Sequence, residues 1–262
     1  MIIDAHTHIF PDKIAAKAVV NMRRNSPVPL ASNGTLNGLL ESMVEAQITR
    51  SVVLPVSTKP EQVKSINRFA VELRQNQKII PIGSLHPKLP DLRNEIKRLK
   101  DHGIRGVKMH PDYQAFFVDD EKIFPIYEAL AAEELILYLH AGKNINLPDP
   151  PCCTPERLAR VAKIFPQLKL VAAHLGGWRM WDDVERYLVG TDVWFDTSFV
   201  SAYINQEQFL KIIRNHGVEK IIFGTDSPWN GQSKSVREIM NLPLPKHEMD
   251  LILGQNAAKL FE

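Results

Sequence analysis

Seven side chains in this sequence have the types and positions to do chemistry together: His6, His8, Lys108, His110, His140, His174 and Asp226. His6 and His8 form a His-x-His pair directly after the opening apolar run. Strand side chains alternate with a period of two, so Asp4, His6 and His8 share one face if the strand stays regular, and Lys108 and His110 share a face of a later strand. His140 ends the run Leu135-Ile136-Leu137-Tyr138-Leu139, His174 ends Leu170-Val171-Ala172-Ala173, and Asp226 ends Ile221-Ile222-Phe223-Gly224-Thr225. An imidazole or carboxylate at the end of so apolar a strand needs a partner, because leaving it buried and unpaired costs a few kcal/mol. A divalent metal ion satisfies several such groups at once. Neutral imidazoles and one carboxylate suit zinc, with iron or manganese as alternatives, and three or four ligands with an open position make a catalytic site. The expected ligands are His6, His8, His140 and Asp226, with one ion favoured over two.

The remaining polar residues divide. His174 lies in Ala173-His174-Leu175-Gly176-Gly177, where glycines allow close approach of the backbone to a ligand, and it is expected to be catalytic beside Asp226. The competing structural role for Asp226 is a helix N-cap ahead of Ser227-Pro228. Lys108 could bridge two metals after carbamylation, pair with a substrate carboxylate, or form an ion pair with Asp4 or Asp226; the favoured role is that of a charge without carbamylation. His110 reads as a substrate contact or an extra ligand. Trp178, with Trp181, Trp229, Tyr113 and Phe116, is a candidate lining of the site mouth, and Trp178 is taken as the substrate-binding aromatic. His102 and His216 suit helix C-termini, His247 a polar terminal helix, and His86 a loop or a pocket wall.

These residues must be positioned by a scaffold that gathers strand ends. Short apolar, β-branched runs recur at 1–4, 51–56, 79–85, 106–110, 136–140, 169–174, 193–196 and 221–225, separated by amphipathic stretches, the pattern of βαβ units around a parallel sheet. Helical spacing marks 60–75, 89–102, 120–133, 155–165 and 206–216. Gly103 and Gly217 fit helix C-terminal positions, and Thr154-Pro155-Glu156 fits an N-cap with proline in the first turn. Eight such units in 262 residues match a (β/α)8 barrel, in which the strands' C-terminal ends converge on one catalytic face. The chain therefore reads as one domain, 1–262, with the proline-containing, Arg23-Arg24-bearing segment 10–36 as a loop with some helix over the barrel mouth.

Bulk properties exclude other classes. Lys and Arg total 32 against 30 Asp and Glu, so a formal net charge of +2 gives no attraction to nucleic acid or a membrane surface. There is no basic, apolar leader at the start and no run long enough to span a bilayer, so a cytoplasmic location is expected. The two cysteines, Cys152 and Cys153, are adjacent, which disfavours a mutual disulfide and fits free thiols. The expected partner is a small-molecule substrate, with a homodimer left open.

The segments Ile3-Asp4-Ala5-His6-Thr7-His8, Gly106-Val107-Lys108-Met109-His110-Pro111, Leu139-His140-Ala141-Gly142, Ala173-His174-Leu175-Gly176-Gly177, Gly224-Thr225-Asp226-Ser227-Pro228 and Ile252-Leu253-Gly254-Gln255-Asn256-Ala257 span the chain from end to end. Through them the sequence resembles the amidohydrolase superfamily, in the amidohydrolase-related (amidohydrolase 2) branch that includes carboxymuconate-semialdehyde-type decarboxylases. The resemblance implies a divalent ion on the residues matching His6, His8, His140 and Asp226, with the residue matching His174 activating water or binding a second ion. The leading expectation is hydrolysis of a small amide, ester or lactone. The ion lowers the pKa of its water from 15.7 toward about 7, Asp226 orients that water and accepts its proton, and Lys108 and His110 grip an anionic part of the substrate. The runner-up on the same site is nonoxidative decarboxylation of a small planar carboxylic acid, with His174 or Asp226 handling a proton. A non-enzymatic binding barrel has no use for both Asp226 and His174, and a nuclease would want a basic stripe that the charge balance does not show.

Overall fold

The computed structural model describes residues 1–24, 28–145, 147 and 149–262, without the side chains of residues 22–24, so the Arg23-Arg24 pair lies outside the described side chains. Strands and helices alternate along the chain: β1 (Ile3–Thr7), α1 (Asp12–Arg24), α2 (Leu36–Glu45), β2 (Arg50–Val53), α3 (Val63–Leu73), β3 (Ile79–Pro81), β4 (Gly83–Ser84), α4 (Leu92–Asp101), β5 (Gly106–Met109), α5 (Pro111–Gln114), α6 (Phe124–Ala132) and β6 (Ile136–Leu139). The second half continues with α7 (Pro155–Ile164), β7 (Leu170–Ala172), α8 (Trp181–Tyr187), β8 (Trp194–Asp196), α9 (Gln206–His216), β9 (Ile221–Ile222), α10 (Gln232–Met240), α11 (Lys246–Asp250) and α12 (Asn256–Phe261). No helix among the described residues is long and apolar enough to cross a membrane.

Every strand pairing is parallel, in the orders β1-β2-β3 and β4-β5-β6-β7-β8-β9. β3 and β4 are one physical strand, interrupted at Ile82 just after Pro81, which has no N–H to donate; its first half pairs with β2 and its second with β5. The remaining seam, between β9 and β1, is closed by Ala5 N–H to Phe223 O (2.7 Å), Asp226 N–H to His6 O (2.8 Å) and His8 N–H to Ser227 O (2.6 Å). The eight expected strands thus form a distorted (β/α)8 barrel.

Alternation along the strands sorts the core into two layers. Ile3, Ala5, Val52, Leu54, Ile80, Ile82, Ile136, Tyr138, Val171, Ala173 and Ile222 fill the interior, and Ala257 and Phe261 of α12 pack among them as a plug. Their sequence neighbours, such as Val53, Val107, Met109, Leu137, Leu139, Leu170, Ala172, Phe195 and Phe223, face the helices. Val107 and Met109 face outward, so Lys108 must face inward.

β1 departs from the regular alternation expected of it. Its register to β2 shifts between Asp4 and Thr7, where three residues oppose two. This bulge puts Asp4 and the two histidines on different sides. Asp4 turns toward α10, accepting from Thr225 Oγ1 (2.6 Å) and Gln232 Nε2 (2.7 Å), while Ile3 and Ala5 line the interior and His6 and His8 follow them at the mouth.

Helix ends follow the local sequence signals. Thr154 caps α7 by accepting from Arg157 N, Thr35 caps α2 by accepting from Gly38 N, and Gly103 and Gly217 take positive φ past α4 and α9. In the long connection after β1, α1 buries Ala15 and Val19 and leaves Ile14 and Val20 exposed. Phe10 N–H to Gly34 O (2.8 Å) closes the base of that connection, and Ala31 N–H to Pro228 O (2.7 Å) ties it to the loop after β9.

Candidate active site

The chemistry-bearing residues converge because they sit at the C-terminal ends of neighbouring strands. His6 and His8 extend β1 past the bulge, Lys108 and His110 lie on and after β5, His140 follows β6, His174 follows β7, and Asp226 follows β9. His174 and Asp226 hold positive φ values of 60° and 66°, uncommon outside glycine. At His174 this turn has a plain purpose: Ala173 already points inward, and the left-handed conformation breaks the alternation so that the next side chain points inward too.

Hydrogen-bond partners fix which nitrogen of each ring carries a proton. His6 Nδ1 lies 2.7 Å from Asp196 Oδ2, and His8 Nδ1 lies 2.6 Å from Leu54 O. A carboxylate and a carbonyl can only accept, so both rings donate through Nδ1 and turn an Nε2 lone pair inward. Those two Nε2 atoms are 3.1 Å apart, and Asp226 Oδ1 stands 3.3 Å from the first and 3.2 Å from the second. Three lone pairs so close repel one another unless a cation lies among them. Two ligands on a tetrahedral ion with bonds of ~2.0–2.1 Å are separated by about 3.3 Å, so the triangle His6, His8, Asp226 has the dimensions of a metal-binding face.

A second pair shows the same frustration. His174 Nδ1 donates to Ser198 O (2.9 Å), and His140 Nε2 donates to Lys143 O (3.3 Å), which leaves His174 Nε2 and His140 Nδ1 facing each other as acceptors at 3.1 Å. A metal ion beside them relieves the conflict, as does the other His140 tautomer, whose Nδ1–H donates to His174 Nε2 at the expense of the longer Lys143 contact. His140 therefore stands beside His174 and outside the triangle, while the His6 and His174 ring centres are 5.3 Å apart.

Asp196, which the sequence reading left out, organises both groups. Its Oδ2 accepts from His6 Nδ1 and from the Tyr138 hydroxyl; its Oδ1 accepts from His174 N (2.8 Å), Ser198 N (2.9 Å) and Ser198 Oγ (2.6 Å). Five donors leave no lone pair for a metal, so Asp196 orients the imidazoles around it, even though it lies within reach of His6 and His174. Burial would raise its pKa, but His6 and the donors around it hold it well below the usual carboxylate range. A signal for it existed: an acid ends Val193-Trp194-Phe195-Asp196 just as Asp226 ends its own run.

The electrostatics follow from burial. Burial, and next the charge on Lys108, lowers His6 to about 4, and the same two causes push His110 well down; His140 is lowered by burial and then by His110. All three are neutral at pH 7, the state in which a ring nitrogen has a lone pair to offer. Burial opposes ionisation of Asp226, yet the surrounding imidazoles, His6 first, outweigh it and leave the pKa at about 2.

Lys108 is the anomaly. It is 1% exposed, and its Nζ has no hydrogen-bond partner among the described residues, only the Tyr138 ring with its centre 4.7 Å away. Burial drops its pKa to about 8, against the pull of Asp196 and Asp226. His110 stacks between Tyr113 (3.7 Å) and His140 (4.2 Å), and its Nδ1 accepts from Tyr113 N (3.4 Å), so its proton is on Nε2. Trp178 sits behind the turn after β8, where its indole N–H donates to Phe199 O (3.2 Å) and its ring packs against Phe199 and Tyr203.

A model of the family described as Amidohydrolase matches residues 3–262. No curated protein matches the sequence. Among solved structures, 5-carboxyvanillate decarboxylase LigW from Sphingomonas paucimobilis shares 16% identity at a TM-score of 0.75, covering 99% of this chain and 98% of that one. Dihydroxybenzoic acid decarboxylase from Polaromonas sp. JS666, with bound manganese and 2-nitroresorcinol, shares 15% at 0.74 over 99% and 96%. An uncharacterised TIM-barrel protein, Bb4693 from Bordetella bronchiseptica, shares 19% at 0.79 over 99% and 97%. At these identities the likeness establishes the common fold.

Proposed function

This chain belongs to the amidohydrolase family, and from that premise we propose that it is a metal-dependent, nonoxidative decarboxylase of a small planar carboxylic acid, in preference to the hydrolase that its motifs first suggest. The observation that carries the proposal is Lys108: a buried ammonium set in neutral imidazoles, whose Nζ has no hydrogen-bond partner among the described residues, asks for an anion in direct contact. A substrate carboxylate supplies it. The structural neighbours that act on aromatic carboxylic acids add support.

His6, His8 and Asp226 would hold a divalent ion, zinc or manganese, with His140 and His174 beside it. Bound there, the ion would supply positive charge that grips and polarises substrate oxygens. Lys108 pairs with the carboxylate and so fixes the bond to be broken. His110 donates its Nε2 proton to a substrate oxygen. Asp226, ionised at neutral pH with its pKa at about 2, has one oxygen turned to the histidine pair and the other without a partner among the described residues, and it relays a proton that it takes from water, leaving hydroxide. That proton is delivered to the carbon bearing the carboxylate; the C–C bond then breaks, its electron pair returns to the ring or alkene, and carbon dioxide leaves. Loss of the carboxylate strips the product of its partner on Lys108, which favours release.

The test is carbon dioxide release by the metal-loaded protein from a panel of aromatic and unsaturated carboxylic acids, run beside lactones, esters and amides. Turnover of a lactone, ester or amide with no carbon dioxide from any acid would return the reaction to hydrolysis.

A further inference from the structure

A cavity of about 430 Å³ opens among the connections that follow β1, β8 and β9, within a few residues of the site along the last two, and is used by none of the steps above. Leu30 and Ala31 of the connection after β1 form one wall, Phe199 and Tyr203 face them, and Trp229 and Lys234 complete it. The walls hang from the loops that carry the site. Phe199 follows Ser198, whose hydroxyl lies 2.9 Å from His6 Nδ1 and 3.0 Å from His174 Nδ1. Trp229 N–H donates to Asp226 O (2.8 Å), and Ala31 N–H donates to Pro228 O. A larger hollow, about 730 Å³, is lined by α2, α3 and the turn after α3, and by none of the connections that carry the site residues.

The lining has a definite chemistry. Its body is apolar and aromatic, and among the described residues no carboxylate belongs to it. Its one charged member among them is Lys234, held only loosely by Glu238 at 3.7 Å, and a second cation, the Arg179 guanidinium, lies 5.0 Å from the Tyr203 ring centre. Pockets for organic ligands have this make-up and start at about 300 Å³. A single carboxylated ring at the histidines would leave this volume unfilled.

We propose that the cavity is the subsite for the remote end of the substrate, which is therefore an elongated organic acid: a planar carboxylate-bearing head at the histidines and a flat apolar tail between Leu30 and Tyr203, with any terminal anion beside Lys234. The proposal rests on the carboxylic-acid reading of the site, but binding tests it independently of turnover. Flat aromatic tails gain both from removal of apolar area from water and from edge and face contacts with Phe199, Tyr203 and Trp229.

The experiment is calorimetric titration of the manganese-loaded protein with benzoate, biphenyl-4-carboxylate and biphenyl-4,4′-dicarboxylate. Parent protein should bind the biphenyl acids at least tenfold more tightly than benzoate, with the dicarboxylate equal or better. Ala202→Trp, which fills the cavity from the wall carrying Tyr203, should erase that gain and leave benzoate affinity unchanged. Gly231→Leu closes the cavity from the other side, where an added Cβ meets only the Ala31 Cβ at 3.7 Å, and should do the same. Should one variant fail to fold, seen as lost benzoate binding and a lost melting transition, the other decides. Equal affinity of parent protein for benzoate and the biphenyl acids, or a gain that survives in the folded variants, overturns the subsite. A gain abolished by cavity filling, with no carbon dioxide from any acid, supports the subsite and fails the decarboxylase reading alone.

Discussion

His6 and His8 each spend one ring nitrogen on an acceptor outside the cluster and offer the other to its centre, so removing either imidazole deletes a ligand and leaves its former acceptor unpaired. His8→Ala should bind metal at least tenfold more weakly than the parent and melt lower in the presence of metal, measured by metal analysis and calorimetry. Full tight occupancy in that variant would place the ion elsewhere. Asp226→Asn should keep the fold and measurable metal, yet lose roughly a hundred- to ten-thousand-fold in kcat, the range for a missing proton carrier. For Lys108 the sign follows from its lowered pKa: the ammonium is present below about 8 and lost above it, so kcat/KM should be flat below that pH and fall as pH rises through it. Lys108→Met should remove that limb and raise KM with metal retained. A mass increase on Lys108 with two metals per chain would instead favour a carbamate. At this scale the sequence was legible wherever a polar residue interrupted an apolar run, as at His140, His174 and Asp226. Asp196 meets the same criterion, at the end of the shorter run Val193-Trp194-Phe195.

At the scale of elements, short continuous apolar runs located the strands, because a parallel barrel buries both their faces, and three-and-four spacing located the helices, which bury one. Period-two alternation puts Asp4 on the face of His6 and His8 only in a regular strand, and a bulge leaves no mark in composition; the register of β1 against β2 reveals it. Nor does composition divide 79–84 between two neighbours at Ile82. One packing contact between elements predicts an acid-sensitive fold. His216 at the end of α9 stacks on Phe195 (3.8 Å), donates Nε2–H to Val193 O (2.7 Å) and accepts Gly190 N–H on Nδ1 (3.2 Å), so protonating Nδ1 destroys a bond. Burial first, and the nearby Lys220 charge, lower its pKa from 6.5 to about 4. The unfolded chain then binds more protons between those values, so the contribution is intact above pH 6.5 and is lost as pH falls toward 4, up to roughly 3 kcal/mol. Urea unfolding at pH 7 and pH 4.5 should show a smaller acid loss in His216→Gln than in the parent; identical losses would remove this contact from the account.

Over the whole molecule, α12 belongs to the barrel rather than to its surroundings. Phe261 is 3% exposed within the interior layer, and Phe261→Ala should cost about 3–5 kcal/mol in chemical unfolding by opening a cavity beneath Ile3 and Ile222. A loss under 1 kcal/mol would mean that the plug is dispensable. The seam between β9 and β1 has a consequence for how the chain is made. β1 emerges from the ribosome shortly before β2 and soon finds it, but its other edge waits for β9; Thr225 and its partner Asp4 are 221 positions apart. At ~5–20 residues per second that wait lasts roughly 10 to 40 s. Throughout it a nascent strand edge, with Ile3 and Ala5 uncovered, is open to pairing with other chains. Transcripts truncated before β9 should therefore yield insoluble product that cannot be rescued by added metal, and chaperone demand should peak late in translation, just before the last strand appears.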